Sequence, residues 1–293
     1  MEENSSATIV LGYKCNNNCI FCLYGEREDN LKLNEIKAAL RELRKKTSTI
    51  MLTGGSAYRK DFLKILRYAS NLGFKLHIDT NGRIFSDKEF TKKVFDASSK
   101  PLVFSISLHS SYPRIHEKIT RVKDSWHQTV QGIKNVAELG GYVIIPTVIC
   151  KLNYKELPRI AKFVKSLGAK EWHPILVRKE GRAERIYRKL IVPISEIQPY
   201  LLKALKESIK IAVTGFPLCT LPSPEYSYEI RALKSKEIVW YKDGKYEDEL
   251  KSRINRKIKL TSCKDCKYFF MCEGILLEYF ERYGAKEFKP VKS

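Results

Sequence analysis

Six times between Thr8 and Ile211 a short run rich in β-branched and apolar residues is followed by a longer segment with apolar residues three or four positions apart. The strands read at 8–13, 48–53, 75–80, 102–108, 142–149 and 172–177, and the helices at 34–46, 60–72, 87–97, 126–139, 154–167 and 195–211. In the first helix Ile36, Leu40 and Leu43 share one face. Strands separated by helices return in the same direction, so the alternation predicts parallel strands covered by helices. Near Thr214 it stops. Pro217, Pro222 and Pro224 follow, then short polar stretches, which predicts a boundary between about 190 and 215 and a smaller cysteine-bearing module beyond it.

The chain has 293 residues, 43% hydrophobic and 30% charged, enough for a solid core and incompatible with wholesale disorder. No apolar run approaches membrane-spanning length, since the densest, 142–150, contains Pro146. The start, Met1 to Ser6, is acidic and polar without a signal-peptide core, so the expectation is a soluble, cytoplasmic protein with no membrane partner. Charge is lopsided: 54 Lys+Arg against 33 Asp+Glu give +21, with 31 basic and 18 acidic residues from Lys151 onward. That balance suits an anionic partner. A Lys/Glu-rich thermophile surface is the other reading, and the three glutamines of the chain agree with it.

Cysteines carry more information. Eight stand at 15, 19, 22, 150, 219, 263, 266 and 272, and in a cytosolic chain such clustering points to metal rather than disulfides. Cys15-Asn-Asn-Asn-Cys19-Ile-Phe-Cys22 follows the first strand with the spacing C-x3-C-x2-C. Three thiolates on one short loop can bind three irons of a [4Fe–4S] cluster and leave the fourth without a protein ligand. Asn16, Asn17 and Asn18 suit the turns such wrapping needs. The competing reading is a zinc knuckle, for which a fourth nearby ligand is missing.

The C-x3-C-x2-C run resembles the cluster motif of the radical S-adenosylmethionine (SAM) superfamily, and the segments at later strand ends extend the resemblance over about residues 8–190. It implies an α/β fold, a partial (βα)6 TIM-type barrel at 1–195 with a small C-terminal Fe–S-binding α+β domain at 196–293. It also implies a cluster whose open iron chelates SAM, reductive cleavage to methionine and a 5′-deoxyadenosyl radical, and hydrogen abstraction from substrate. Thr53-Gly54-Gly55 looks like the family's glycine motif at the SAM amino group, with Ser56 where the family has an acidic residue. Asp79-Thr80-Asn81-Gly82 and the run from Ser105 through Ser107 and His109 to Ser110 resemble two further segments. The resemblance implies SAM contacts from Phe21, Gly54, Gly55, Asn81, Ser107, Arg121 and Val148, with Asn153 beside the ribose. These positions fall at strand ends where such barrels build active sites.

Cys263-Lys-Asp-Cys266 and Cys272, joined by Cys219 upstream, resemble the auxiliary-cluster region of the SPASM/twitch branch. A further cysteine of the full SPASM pattern is replaced by Leu276, so the count implies one auxiliary [4Fe–4S] cluster. A structural zinc site on four cysteines has equally suitable spacing, and Glu273 is a candidate to enter the shell. Cys150 at a strand end reads as a buried small side chain or a thiyl relay. His109 reads as a border of the site or a structural imidazole.

Two basic runs, Arg178 to Lys189 and Lys251 to Lys259, with Tyr187 and Tyr241 nearby, leave the substrate open. One reading is a peptide or protein side chain, as in maturases of ribosomal peptides. Because the first strand begins by residue 8, a leader-binding protein is then expected as a separate chain. A second is RNA or a phosphorylated nucleotide. A third is a non-catalytic Fe–S or zinc protein binding nucleic acid, marked by salt-dependent binding without SAM cleavage. The catalytic readings imply an external flavodoxin- or ferredoxin-like reductant.

Overall fold

A computed structural model of the chain describes residues 5–25, 30–233, 235–240 and 246–292. The polar start at 1–4 and Tyr241 lie outside the described residues. The first part runs β1 (Ser5–Val10), α1 (Leu33–Arg44), β2 (Thr49–Thr53), α2 (Phe62–Asn71), β3 (Lys75–Thr80), α3 (Lys88–Phe95) and β4 (Val103–Ile106). It continues with α4 (Pro113–Thr120), α5 (Ser125–Glu138), β5 (Tyr142–Ile149), α6 (Leu157–Ser166) and β6 (Glu171–Leu176). Strands β1 to β6 pair in sequence order, all parallel.

Register divides each strand between two environments, because successive side chains point to opposite faces. Ile9, Leu52, Ile78, Phe104 and Val143 are matched across β1 to β5, and all five are buried. They meet helix faces such as Ile36, Ala39, Leu40 and Leu43 of α1 or Ile160, Ala161 and Val164 of α6. Each such Leu or Ile contributes about 1.5–3 kcal/mol on burial. The alternate residues form a mixed inner face that brings Thr8, Thr53, His77, Asp79 and Ser105 to one side of the sheet. There the Thr53 hydroxyl donates to Asp79 Oδ2 at 2.5 Å, and His77 Nε2 meets Ser105 Oγ at 2.8 Å.

The covering layer departs from the sequence expectation in two places. α4 was not expected, since its eight residues carry few apolar side chains; Pro113 starts it and Arg121, left-handed at φ 56°, stops it. The helix expected over 195–211 is shorter. After α7 (Tyr187–Leu190), α8 (Ile194–Ala204) ends where its buried face ends, and the polar Lys206-Glu207-Ser208 intervenes. Lys210–Ile211 is then a seventh strand, β7, parallel to β6.

The chain beyond β7 contributes to the same sheet. It forms α9 (Tyr228–Ala232), β8 (Lys236–Trp240), β9 (Tyr246–Asp248), α10 (Glu249–Asn255), β10 (Lys257–Ile258), β11 (Ile275–Leu276) and α11 (Leu277–Tyr283). β8 lies parallel to β1 at the opposite edge from β7 and carries β9 antiparallel on its outside. Thr8 Oγ1 donates to Glu237 Oε1 across that seam at 3.1 Å. β10 and β11 make a separate antiparallel pair. Among the described residues no helix is long and apolar enough to cross a membrane.

α5 presses hardest on the strand ends. Thr129 Oγ1 donates to Asn81 O at 2.8 Å, and Asn135 Nδ2 donates to Phe85 O and Ser86 O at 2.8 and 3.1 Å. A Cβ on Gly132 would stand 2.1 Å from Gly82 O, inside contact distance of rigid backbone. Gly132→Ala is therefore expected to cost about 1–3 kcal/mol, read as a lowered denaturant midpoint. An unchanged midpoint would contradict this packing.

Candidate active site

The loop after β1 carries Cys15, Cys19 and Cys22, with Cys15 exposed and the other two half-buried. Its backbone is tied to strand ends other than its own. Gly55 N–H donates to Gly12 O at 2.8 Å, Asn18 N–H to Thr120 O at 2.9 Å and Ile20 N–H to Ile119 O at 3.0 Å. Arg83 Nη1 donates to Asn16 O at 2.5 Å and to Asn17 Oδ1 at 2.9 Å. From the loop after β6, Arg182 N–H donates to Cys22 O at 3.0 Å. The ends of β2 and β3, the α4 terminus and the β6 loop thus all hold this segment.

Asn81 is the polar hinge between the loop and β3. Its Nδ2 donates to Asn16 Oδ1 at 2.6 Å and lies 3.4 Å from Cys15 Sγ, while its Oδ1 accepts from Arg83 N–H at 3.0 Å. Asn17 N–H also points at Cys15 Sγ, at 3.4 Å. Burial, then Cys22 and Cys15, push the Cys19 thiol up to about 12. Three close thiols with N–H donors on one sulfur, and a buried Asn16 Nδ2 without a partner in their loop, suit an iron–sulfur cluster. Among the described residues no group of three or more His, Cys, Asp or Glu side chains already has the arrangement of a single-ion site.

The other residues singled out in the sequence fall around this loop. A Cβ on Gly55 would lie 1.7 Å from Lys14 O, so only glycine lets the end of β2 meet the loop this closely. Gly54 adjoins it at φ 83°. Ser56 is buried, with its hydroxyl turned to Leu52 O and Asp79 O. Ser107 follows β4, its N–H bonded to Thr80 O. Arg121 is exposed and follows Ile119 and Thr120, whose carbonyls hold the loop.

Phe21 and Val148 come together through His109. The Phe21 ring meets His109 edge-on at 5.0 Å, and Val148 N–H donates to His109 Nδ1 at 3.4 Å. Burial pushes His109 down to about 4, so the imidazole is neutral at pH 7 and packs. Asn153 is a backbone clasp: its Nδ2 donates to His109 O and Val148 O at 2.8 and 2.9 Å, and its Oδ1 accepts from Cys150 N–H at 2.8 Å. Cys150 is buried, and burial raises its thiol to about 11, the behaviour of a small core side chain.

Sequence reasoning passed over Arg83, one cation among 54 Lys+Arg, although its place just after Asn81-Gly82 was a usable signal. It also passed over Tyr24, whose hydroxyl meets Thr53 Oγ1 at 3.3 Å, completing a chain to Asp79. Burial raises the Asp79 carboxyl against the Thr53 bond.

The second cysteine set is drawn together as well. Cys219, Cys263, Cys266 and Cys272 line one cavity with Phe269 and Lys259. Burial, then Cys272, Cys266 and Cys263, push the Cys219 thiol up to about 11. Four thiols on one cavity suit either a [4Fe–4S] cluster or zinc. Glu273 is held elsewhere: Arg253 Nη2 donates to it at 2.6 Å and Lys257 Nζ at 2.7 Å. Burial opposes its charge, yet these partners hold the carboxyl below the usual range, so it is engaged and not free to ligate.

The basic runs are partly consumed in the same way. Arg178 and Arg256 both pair with Glu180, at 3.2 and 2.8 Å, and Lys257 pairs with Glu229 at 3.0 Å. With Arg253 on Glu273, four of the eleven cations of these runs are paired with acids of the protein.

Comparison with known proteins adds independent findings. The sequence profile of the Radical SAM superfamily matches residues 9–164. An AdoMet-dependent heme synthase of Oleidesulfovibrio alaskensis is 24% identical over 201 residues, covering 65% of this chain and 51% of that protein. The antilisterial bacteriocin subtilosin biosynthesis protein AlbA of Bacillus subtilis is 25% identical over 190 residues, covering 61% and 41%. The chain spans about half the length of the curated relatives it matches. Streptococcus suis SuiB bound to S-adenosylmethionine has the same fold, with a TM-score of 0.66 at 15% identity over 98% of this chain and 76% of SuiB. SuiB bound to its precursor peptide SuiA gives 0.66 at 16% identity, covering 98% and 74%.

The Asn153 clasp yields a test of how the mouth is built. Asn153→Ala leaves buried backbone groups at His109, Val148 and Cys150 without their partner, at about 1–3 kcal/mol for each group left unpaired. The expected result is a loss of at least about 2 kcal/mol in chemical denaturation. Wild-type stability would show that water replaces the side chain and that the clasp is dispensable.

Proposed function

The chain belongs to the radical SAM superfamily, and from that membership we propose that it modifies a peptide or protein side chain by hydrogen abstraction. It is an enzyme of a family whose cofactors are a [4Fe–4S] cluster and SAM. The observation that carries the assignment of residues is the loop clamp: three thiols held over the sheet, with the Asn81 amide on Cys15. In this reading Cys15, Cys19 and Cys22 hold the cluster, and Phe21, Gly54, Gly55, Asn81, Ser107, Arg121 and Val148 position SAM. When bound, the cluster and SAM supply one-electron cleavage of the sulfonium and a 5′-deoxyadenosyl radical that takes hydrogen from substrate.

The residues of the chain supply the surroundings. Asn81 orients Cys15 and fixes the loop to β3, Arg83 holds the Asn16 carbonyl, and Gly55 keeps β2 against Lys14. The inner face, with Thr53, Asp79 and Tyr24 hydrogen-bonded in a row, offers polar groups to a substrate beneath the loop. We assign SAM cleavage to residues 1–195 and the auxiliary site to 196–293, a stretch that shares the sheet through β7 and β8 and in which Cys219, Cys263, Cys266 and Cys272 hold a second [4Fe–4S] cluster. A flavodoxin- or ferredoxin-like protein supplies electrons.

A peptide is favoured over RNA because Arg253, Arg256 and Lys257 of the second basic run, and Arg178 of the first, are engaged by Glu180, Glu229 and Glu273. The relatives named for bacteriocin biosynthesis and for a bound precursor peptide agree with it.

Anaerobic reconstitution tests the assignment. Wild type is expected to take up about eight irons and to form 5′-deoxyadenosine when reduced. The variant with Cys15, Cys19 and Cys22 all changed to Ala should keep about four irons and form none. Cleavage retained in that variant would overturn the ligand assignment, and one zinc in place of four irons would make the C-terminal site structural.

A further inference from the structure

The four-cysteine cavity lies beneath an unusual piece of surface. Between Cys266 and Cys272 the backbone closes in successive turns, with Phe269 N–H on Cys266 O at 2.9 Å and Cys272 N–H on Tyr268 O at 2.8 Å. This winding turns Phe270 outward, and its side chain is 97% exposed. The next most exposed large hydrophobic side chain among the described residues is Tyr58, at 52%. Phe270 meets Phe269 edge-on at 5.3 Å, and Met271 beside it is 44% exposed. The winding alone requires no aromatic at position 270, and an isolated, fully wetted Phe gives nothing to the core.

Lysines flank the segment that carries this apolar tip. Lys259 sits over the Phe269 ring at 4.7 Å and donates to Phe269 O, and Lys267 sits over Tyr268 at 5.1 Å. Lys264 and Lys289 are exposed, and Lys289 and Lys259 also line the cavity. Asp265 is the acid within the loop itself. The local excess has the sign of the whole chain, at +21. A small aromatic anchor inside a cationic rim suits a brief, electrostatically steered protein encounter, the class to which redox complexes of under about 1,200 Å² belong.

We propose that Phe270 and Met271, flanked by Lys259 and Lys267 and joined by the exposed Lys264 and Lys289 of the same module, form the docking surface for an acidic electron carrier of the flavodoxin class. The partner is chosen by charge complementarity and by the apolar edge that a flavin ring presents at its protein's surface. The tip is a wound loop without an open strand edge or a long groove, so it lacks the features by which extended or helical peptides are gripped. The proposal rests on the iron–sulfur reading of the adjacent cysteines.

The test uses the reconstituted holoenzyme and a purified acidic flavodoxin. Binding is followed by calorimetry at two salt concentrations, with 5′-deoxyadenosine formation driven by reduced flavodoxin or by dithionite as a second readout. Phe270→Ala is expected to weaken binding about tenfold. The double variant Lys264→Glu, Lys267→Glu should weaken it further and flatten its salt dependence. Both should lower the ratio of flavodoxin-driven to dithionite-driven cleavage. Lys134→Glu, on the exposed side of α5, should change neither. No binding by wild type, equal binding by all variants, or an equal loss in Lys134→Glu would overturn the docking surface. Absence of dithionite-driven cleavage in wild type, with binding lost as expected in the variants, would overturn the proposed function and leave the surface standing.

Discussion

A loop that must hold three thiols together cannot satisfy its own backbone by forming a helix or strand, and buried polar backbone must be paired somewhere. Here the partners come from the ends of β2, β3, α4 and the loop after β6. Each contact ties the cysteine segment to a different βα unit. Displacement of one unit would therefore be felt at the thiols. Gly55 against Lys14 and Arg83 on Asn16 set the separation between loop and sheet, so the position of the sulfurs follows from the packing of the strands beneath them.

Burial makes Cys19 and Cys219 poorer acids than a free thiol. Burial, then the neighbouring thiols, raise Cys19 to about 12 and Cys219 to about 11, so both are protonated near neutral pH. A metal taken up at either position would have to displace its proton, because metal ligation deprotonates a thiol. The C-terminal site repeats this arrangement, with Glu273 withdrawn into a buried network of Arg253, Lys257 and Glu229. That network leaves sulfur as the donor chemistry of the cavity.

Much of this was legible in the sequence because it depends on period and spacing. β3 and β5 begin and end where the pattern of β-branched and apolar residues does, at 75–80 and 142–149. The C-x3-C-x2-C grouping that spacing suggested, and the set of Cys219 with Cys263, Cys266 and Cys272 that the resemblance implied, are each brought together in space. What stayed hidden depends on tertiary partners. α4 has too little apolar surface to announce itself, and it persists because Ile119 and Thr120 hold the loop. β7 is two residues long and exists through its pairing with β6. The return of β8 to the far edge of the sheet has no local signal, since it is decided by pairing with β1. Asn153 looked like a ligand contact by position, and its amide is occupied by backbone on both sides.

The central claim is that the loop of Cys15, Cys19 and Cys22 leaves one iron of its cluster open to SAM. Electron paramagnetic resonance of the reduced, reconstituted enzyme, recorded with and without SAM, reads that coordination directly. To isolate the signal, the protein should carry Cys263→Ala and Cys266→Ala, which remove two of the four C-terminal thiols. A cluster spectrum that shifts on adding SAM is the predicted result. A spectrum indifferent to saturating SAM would mean that the fourth iron is closed, and it would contradict the account.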